Sequence, residues 1–181
     1  MIVNIGADTT EITVISHGGI VVSRIIQMGG NKLDQLICES VKKRYNILIG
    51  LKTAEQIKCK LADAMYDEDN DLDDDIMYVY GRNVITGLPS ERGVSKDTIY
   101  EAIKQFFDDI VDAIKNLLER TPPELSADII DTGIYLTGGS SSIKNLNTLI
   151  EQETDLKVNT VKNPQESVIR LSLIHISEPT R

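Results

Sequence analysis

The 181-residue sequence has no tryptophan, only two phenylalanines, and an excess of acidic over basic side chains that gives a net charge of −9. Single-stranded nucleic acids bind aromatic stacking platforms in basic grooves, and duplexes and anionic membranes bind clusters of Lys and Arg. We therefore expect no nucleic-acid partner. The apolar fraction of 41% is high enough for a buried core, so the composition predicts a folded domain.

Histidine and cysteine are also scarce, with two of each. Cys38 and Cys59 lie in helical patterns without a CxxC pair, which indicates free thiols in a reducing compartment. His17 precedes Gly18–Gly19 in a predicted hairpin turn, and His175 lies in an atypical C-terminal stretch. Because no nucleophile–histidine–acid set remains and neither a Walker A lysine motif nor GxGxxG is present, we assign no catalytic residue.

Acidic residues concentrate in one segment, DEDNDLDDD at residues 67–75. An EF-hand calcium loop would need Gly at its sixth position and Glu at its twelfth, where this sequence has Leu72 and Tyr78. A solvated connecting loop is therefore the better interpretation.

Hydrophobic periodicity predicts strands and then helices, with a helical insertion. Strands are expected at residues 1–3, 9–16, 19–26, 76–80, 82–86, 133–136 and 156–161. Helices are expected from an Asn31 cap to 46, from a Thr53–Gln56 capping box, from Ser95 to 121, at 123–131, around 143–150 and from Pro164. This order indicates an α/β or α+β domain.

Two strands run directly into turns rich in glycine and hydroxyl groups. Leu136 is followed by Thr-Gly-Gly-Ser-Ser-Ser up to Ser142, and the strand at Met1 leads into NIGADTT, which ends at Thr10. Glycine lets a backbone approach a ligand, and free N–H groups at a helix start favour an anion. Each signal is weak alone, because Ser and Gly are also ordinary caps. Two such turns in one domain could hold one nucleotide between them.

A third segment, TAEQIK at residues 53–58, opens a predicted helix. Glu55 and Lys58 share a face of its first turn, because they are three residues apart. They could bracket a ribose and base, or form an ordinary surface ion pair.

The last eleven residues, LSLIHISEPTR at 171–181, differ from everything before them. They resemble one reading frame of a transposase adapter used for sequencing libraries, so we interpret them as a non-native tail. The alternative is a genuine apolar strand. Met1 begins inside a strand without a lead-in, which suggests a clipped reading frame.

A family resemblance joins these motifs. The segments NIGADTTEITVISHGGIVVSR, GGNKLDQLI, RYNILIG, TAEQIK, TPPELSADIIDTGIYLTGGSSSIKNL and QETDL resemble, in this order, the second half of the MreB/Mbl family of bacterial actin homologues. The resemblance covers about residues 1–170. Other actin-fold proteins share the two glycine turns but not the flanking segments.

The resemblance implies one lobe of an actin-like (ribonuclease H-like) ATPase fold of the α/β class, with an α+β insertion. Residues 1–30 and 88–170 would form the inner subdomain, and residues 31–87 the outer insertion. The first phosphate loop, the residue that positions the attacking water and the membrane-binding element would belong to the absent half.

The resemblance also implies an ATP and Mg²⁺ site in the full-length protein. Its nucleotide-binding positions fall on three segments: Gly6, Ala7, Asp8 and Thr9 at the second phosphate loop; Glu55, Gln56, Ile57 and Lys58 at the adenosine-contacting helix; and Gly138, Gly139, Ser140 and Ser141 at the second adenosine loop.

Two residues depart from the family pattern. Asn4 stands where the family has a metal-holding Asp, so the position keeps an acceptor oxygen but loses the charge that favours Mg²⁺. Asp8 stands where the family has its third glycine, and a carboxylate about 4 Å from a phosphate costs on the order of 4 kcal/mol at an effective dielectric of 20. Asp8 would serve Mg²⁺ only if it replaces the lost carboxylate.

The function implied is that of a fragment of an MreB-like protein that binds ATP, assembles with itself into filaments and directs cell-wall synthesis and rod shape. Its partners would be its own copies, the cell-wall elongation machinery and, through the absent half, the membrane. No apolar run approaches the length of about 18 residues that a membrane-spanning helix needs. A cytoplasmic location is therefore expected.

Two alternatives stay open. One is a diverged, non-hydrolysing actin-like scaffold, and the other is a chaperone-type or sugar-kinase-type ATPase on the same fold. The family is a weak ATPase, but half of the cleft is missing, so the chain alone is predicted to be inactive.

Overall fold

The computed structural model describes residues 1–66 and 76–161. The acidic segment 67–75, the helix expected from Pro164 and the tail 171–181 lie outside the described residues. The chain forms two compact units. The first comprises Met1–Gly30, Ile110–Ser142 and the chain from Asn147, and the second comprises Asn31–Asp109 and Ile143–Leu146. The subdomain boundaries implied by the resemblance stay a prediction.

The elements follow one another in this order: β1 (Ile2–Ile5), β2 (Thr10–Ser16), β3 (Gly19–Ile26), α1 (Gly30–Tyr45), β4 (Ile47–Leu48), α2 (Leu51–Leu61), β5 (Ile76–Asn83), β6 (Pro89–Ser95), α3 (Lys96–Glu119), α4 (Pro123–Thr132), β7 (Ile134–Thr137), a short 3₁₀ helix (Gly139–Ser142), α5 (Leu146–Thr154) and β8 (Val158–Thr160).

The first unit contains a five-stranded sheet of order β3-β2-β1-β7-β8. β2 pairs antiparallel with β1 and β3, whereas β7 pairs parallel with β1 and β8. Alternate residues of each strand point to the same face. Val3, Ile5, Ile12 and Leu136 on one such face are fully buried, which fixes the register of the sheet.

The second unit contains a three-stranded sheet of order β4-β5-β6 together with α1, α2 and the first part of α3. Apolar side chains recur at helical spacing on these helices and are fully or almost fully buried: Leu33, Ile37 and Val41 on α1, Ala54, Ile57 and Leu61 on α2, and Ile99, Ile103 and Phe106 on α3. Their burial is the main contribution to the stability of the unit, at about 25 cal/mol per Å² of apolar surface.

The predicted hairpin of residues 9–26 is confirmed as β2 and β3, and its turn has positive φ angles at His17 (50°) and Gly18 (76°). His17 is thus a turn residue. Cys38 and Cys59 are free thiols; Cys38 is half-buried, whereas Cys59 is exposed and not in the core or at its boundary.

Several element boundaries predicted from the sequence are wrong. Residues 82–86 were expected as a strand, but Val84–Thr86 belong to the turn that joins β5 to β6, because the Asn83 Oδ1 accepts hydrogen bonds from the N–H groups of Ile85 (2.8 Å) and Thr86 (3.0 Å). The polar segment Pro89–Ser95 is the second strand instead.

The predicted helix starts also shift. α2 begins at Leu51 behind a Gly50 N-cap that has no side-chain cap bond, so Thr53 and Gln56 do not form a capping box. α1 starts one residue before the predicted Asn31 cap. The helix expected around 143–150 is present as α5, but it begins only at Leu146. Asn145, just before it, has a left-handed conformation (φ 60°).

Candidate functional site

Two glycine-containing turns begin at the same edge of the sheet in the first unit. β1 and β7 are parallel neighbours, with Ile2 opposite Tyr135 and Asn4 opposite Thr137. Their carboxyl ends therefore point the same way. In open α/β sheets, ligands bind in the crevice outside the carboxyl ends of the strands. We name the turn after β1, residues 6–9, the first turn and the turn after β7, residues 138–142, the second turn.

The second turn lies against the end of β1. Gly138 has a φ of 92°, and a Cβ added to it would lie 2.3 Å from the carbonyl oxygen of Ile5 and 2.7 Å from Oδ1 of Asn4. Only glycine fits such an approach without a shift of the backbone. The N–H (3.2 Å) and hydroxyl (2.7 Å) of Ser141 both donate to the carbonyl of Gly138. Ser140 and Ser141 are buried, so this turn is rigidly built.

The first turn is held by a different set of contacts. The N–H of Gly6 donates to the carbonyl of Thr9, and the N–H of Gly30 donates to the carbonyl of Gly6, both at 2.9 Å. A Cβ on Gly29 would lie 2.5 Å from the carbonyl oxygen of Ala7. The sequence predicts Gly29 only as the end of a hairpin. In the structure its backbone also packs closely against the first turn.

The side chains of the first turn face solvent. Ala7 and Asp8 are exposed, and Asn4, at the end of β1, is half-buried beside Gly138. Within residues 1–66 and 76–161, no group of three or more His, Cys, Asp or Glu side chains is arranged to hold a metal ion. The two predicted metal positions, Asn4 and Asp8, both lie at this edge of the sheet.

The four predicted adenosine-contacting residues lie on α2, in the second unit. Glu55 and Gln56 are exposed, whereas Ile57 is fully buried, so its side chain serves the core. Lys58 Nζ lies 2.8 Å from Oδ1 of Asp34 on α1, and both side chains are largely buried. The structure thus brings the two turns together within one unit, and a joint contact of α2 with the same ligand stays a prediction.

Sequence reasoning missed a buried carboxylate, Asp63, just after α2. It accepts hydrogen bonds from the N–H of Met65 (3.1 Å) and from Nδ2 of Asn145 (2.8 Å). Lys96 Nζ and Lys144 Nζ lie 3.1 and 3.2 Å from its Oδ2. Burial favours the neutral acid, but these four donors outweigh it and hold the pKa of the Asp63 carboxyl below its ordinary value. A carboxylate between Ala62 and Ala64 in an apolar pattern was the available signal.

No helix in the described part of the chain is long and apolar enough to cross a membrane.

Comparison with solved structures defines the class of protein. The crystal structure of MreB5 of Spiroplasma citri bound to ADP superposes with a TM-score of 0.89 at 35% identity, over 96% of this chain and 51% of that one. A MamK double helical filament gives 0.80 at 22% identity, over 99% of this chain and 54% of that one, and at this identity shows the fold alone. The fold is actin-like, and the chain covers about half of it.

Comparison of sequences then gives the family. The model of the family described as MreB/Mbl protein matches residues 1–179. The cell shape-determining protein Mbl of Bacillus subtilis is 42% identical over 172 residues, which is 93% of this chain and 49% of that protein. The cell shape-determining protein MreB of Escherichia coli is 37% identical over 171 residues, or 94% and 48%. This chain belongs to the MreB/Mbl family and spans about half the length of these relatives.

The family resemblance and the actin-like α/β fold expected from the sequence are thereby confirmed. The family match extends into residues 171–179, and the interpretation of 171–181 as a non-native tail stays a prediction.

Proposed function

We propose that the chain forms one side of an ATP site in a cell shape-determining, filament-forming protein. The observation that carries this proposal is the close approach of the second turn to the end of β1, which sets two glycine turns side by side beyond two parallel strands. The solved relatives support it, because MreB5 of Spiroplasma citri has been crystallised with ADP and with AMPPNP.

The residues present fit a nucleotide at this edge. A ligand would approach the backbone at Gly139, which is exposed and carries no side chain, whereas Gly138 packs against the end of β1. The first turn would face the phosphates with Gly6 and Thr9. Glu55 and Lys58 would contact the adenosine from α2. In this proposal residues 1–30 and 88–170 act as the inner subdomain, and residues 31–87 as the outer one.

Fewer residues at this edge are suited to bind Mg²⁺ than to contact the nucleotide. Mg²⁺ is usually held by one or two carboxylates together with phosphate oxygens and water, and the sheet edge offers one carboxylate, Asp8, and one amide oxygen, Asn4. When bound, the ion would neutralise phosphate charge. Asp8 would hold it directly or through water, and Asn4 would accept a hydrogen bond from its hydration shell.

A second candidate function follows from the same two residues. Asn4 is neutral beside Gly138, and the carboxylate of Asp8 would repel a phosphate in the absence of metal. Both residues are consistent with a scaffold that binds nucleotide weakly and does not hydrolyse it. Such a scaffold would act by assembly with other copies of itself. In either version, contact with the cell-wall elongation machinery and association with the membrane belong to the full-length protein.

The test is a titration of the full-length protein that contains this chain with ATP and AMPPNP, with and without Mg²⁺. We expect nucleotide binding and nucleotide-dependent sedimentation of filaments. The variant Gly138→Ala should lose both, and the matched control Gly19→Ala, whose Cβ would meet nothing closer than 3.8 Å, should keep both. If the wild type shows neither binding nor assembly, the proposal fails.

A further inference from the structure

The carboxylate of Asp63 joins three segments of the second unit. Asp63 follows α2, and Lys96 is the first residue of α3. Lys144 and Asn145 belong to residues 143–146, which follow the 3₁₀ helix and end at the first residue of α5. We name these four residues the Asp63 cluster. The N–H of Ala64 also donates to the carbonyl of Lys144 at 2.9 Å. Residues 143–146 are thus attached to the end of α2 by backbone and side-chain bonds.

The same bonds hold an unusual backbone conformation in residues 143–146. Asn145 has a φ of 60°, in the left-handed region that few non-glycine residues adopt and that asparagine tolerates better than most. Its side-chain amide donates to Oδ1 of Asp63 at 2.8 Å. The hydrogen bond to an ionised acceptor is of the strong class, so the carboxylate holds Asn145 in this conformation.

The charges of the cluster are unequal in exposure. The side chains of Asp63 and Lys96 are 1% and 8% exposed, whereas that of Lys144 is 62% exposed. Salt screens exposed pairs far more than buried ones. The Asp63–Lys96 pair is therefore the fixed part of the cluster, and Lys144 adds a weaker, screened attraction.

Residues 143–146 continue directly from the second turn, because Ser142 is bonded to Ile143. We propose that Asp63 is a positioning residue for the second turn: it anchors residues 143–146 and thereby limits the freedom of the turn that approaches the nucleotide. The part of this proposal that concerns nucleotide affinity rests on the proposed function. The anchoring itself does not depend on it.

Hydrogen exchange tests the anchoring without any ligand. In the variant Asp63→Asn, amides of residues 64 and 141–146 should exchange about tenfold faster or more, because a hydrogen bond to a charged group is replaced by a neutral one. The amides of β1 and β2 should not change. Lys144→Met, which leaves the buried pair intact, should give a smaller local increase. Unchanged exchange at residues 141–146 in both variants would overturn the proposal.

Nucleotide titration of the full-length protein tests the coupling to the second turn. Two controls are matched to Asp63→Asn: Glu153→Gln removes the carboxylate of the exposed Lys115–Glu153 pair, and Ile37→Val weakens the core of the second unit. We expect about a tenfold loss of nucleotide affinity in Asp63→Asn. Any loss of stability in the two controls should leave their nucleotide affinity equal to that of the wild type. Equal affinity in wild type and Asp63→Asn overturns the coupling. If the wild type binds no nucleotide, the proposed function fails and the exchange data alone decide on the anchoring.

Discussion

The first and second turns lie at the ends of neighbouring parallel strands, but they are held in different ways. Gly138, Ser140 and Ser141 of the second turn are buried, and Gly138 fits against the backbone of β1 with no room for a Cβ. The first turn exposes Ala7 and Asp8 and depends on the backbone of Gly29–Gly30 behind it. Packing therefore restricts the residue type at Gly138 within the second turn. For the first turn, it restricts the residue type at Gly29, which lies behind the turn, and not at Ala7 or Asp8.

One of the two departures that the family resemblance implies lies in the first turn. Asp8 stands where the resemblance implies a glycine, and it lies on the exposed part of the first turn. The second turn keeps both of its glycines. Exposed positions tolerate substitution because they leave packing unchanged, so a change there tests ligand binding rather than folding.

The largest effect is expected from Gly138→Ala. The new Cβ would lie 2.3 Å from the Ile5 carbonyl oxygen, in a backbone with a φ of 92°. Overpacking and the strained conformation together should lower the free energy of unfolding by about 3 to 5 kcal/mol. Urea unfolding measures it, and Gly19→Ala should stay within about 1 kcal/mol of the wild type. An equal effect of the two substitutions would remove the distinction between the turns.

A smaller loss is expected from Gly29→Ala. Its Cβ would lie 2.5 Å from the Ala7 carbonyl oxygen, but without a positive φ, so only overpacking applies, at about 1 to 3 kcal/mol. The first turn should shift while the second keeps its geometry. Chemical shifts of the Ala7 and Ser141 amides would report this, and a change confined to Ser141 would contradict it.

The third prediction concerns the loss of folding stability at low pH. The folded pKa of Asp63 is lowered from 3.8, so its contribution to stability is fully present above this value. It is lost as the pH falls through the lower folded pKa. The wild type should therefore lose stability below about pH 4, and Asp63→Asn should be less stable at neutral pH but lose less on acidification. Thermal unfolding at a series of pH values checks this, with Glu153→Gln as the control. Parallel pH profiles for wild type and Asp63→Asn would exclude a role for this carboxylate.

The sequence predicted those features that depend on neighbouring residues. Alternating apolar side chains and His17–Gly18 were sufficient for the β2–β3 hairpin, and glycine with serine was sufficient for the second turn. β6 was missed because only Val94 of its seven residues is buried, so it carries no alternating signal. The Asp63 cluster was missed because its partners are distant in sequence and meet only in the folded chain.

The smallest effect on folding is expected from Asp8→Gly and Asn4→Asp, which restore the residues that the family resemblance implies. Asp8 is exposed, so Asp8→Gly leaves the core intact and should change the free energy of unfolding by about 1 kcal/mol or less. It should also raise the affinity for ATP without Mg²⁺, because it removes a like charge facing the phosphates. Asn4→Asp should instead raise affinity only when Mg²⁺ is present, since a carboxylate is a ligand that this ion prefers. Titrations of the full-length protein with and without Mg²⁺ separate the two effects. If neither variant changes affinity in either condition, the first turn does not face the phosphates, and the nucleotide contacts of this unit belong to the second turn alone.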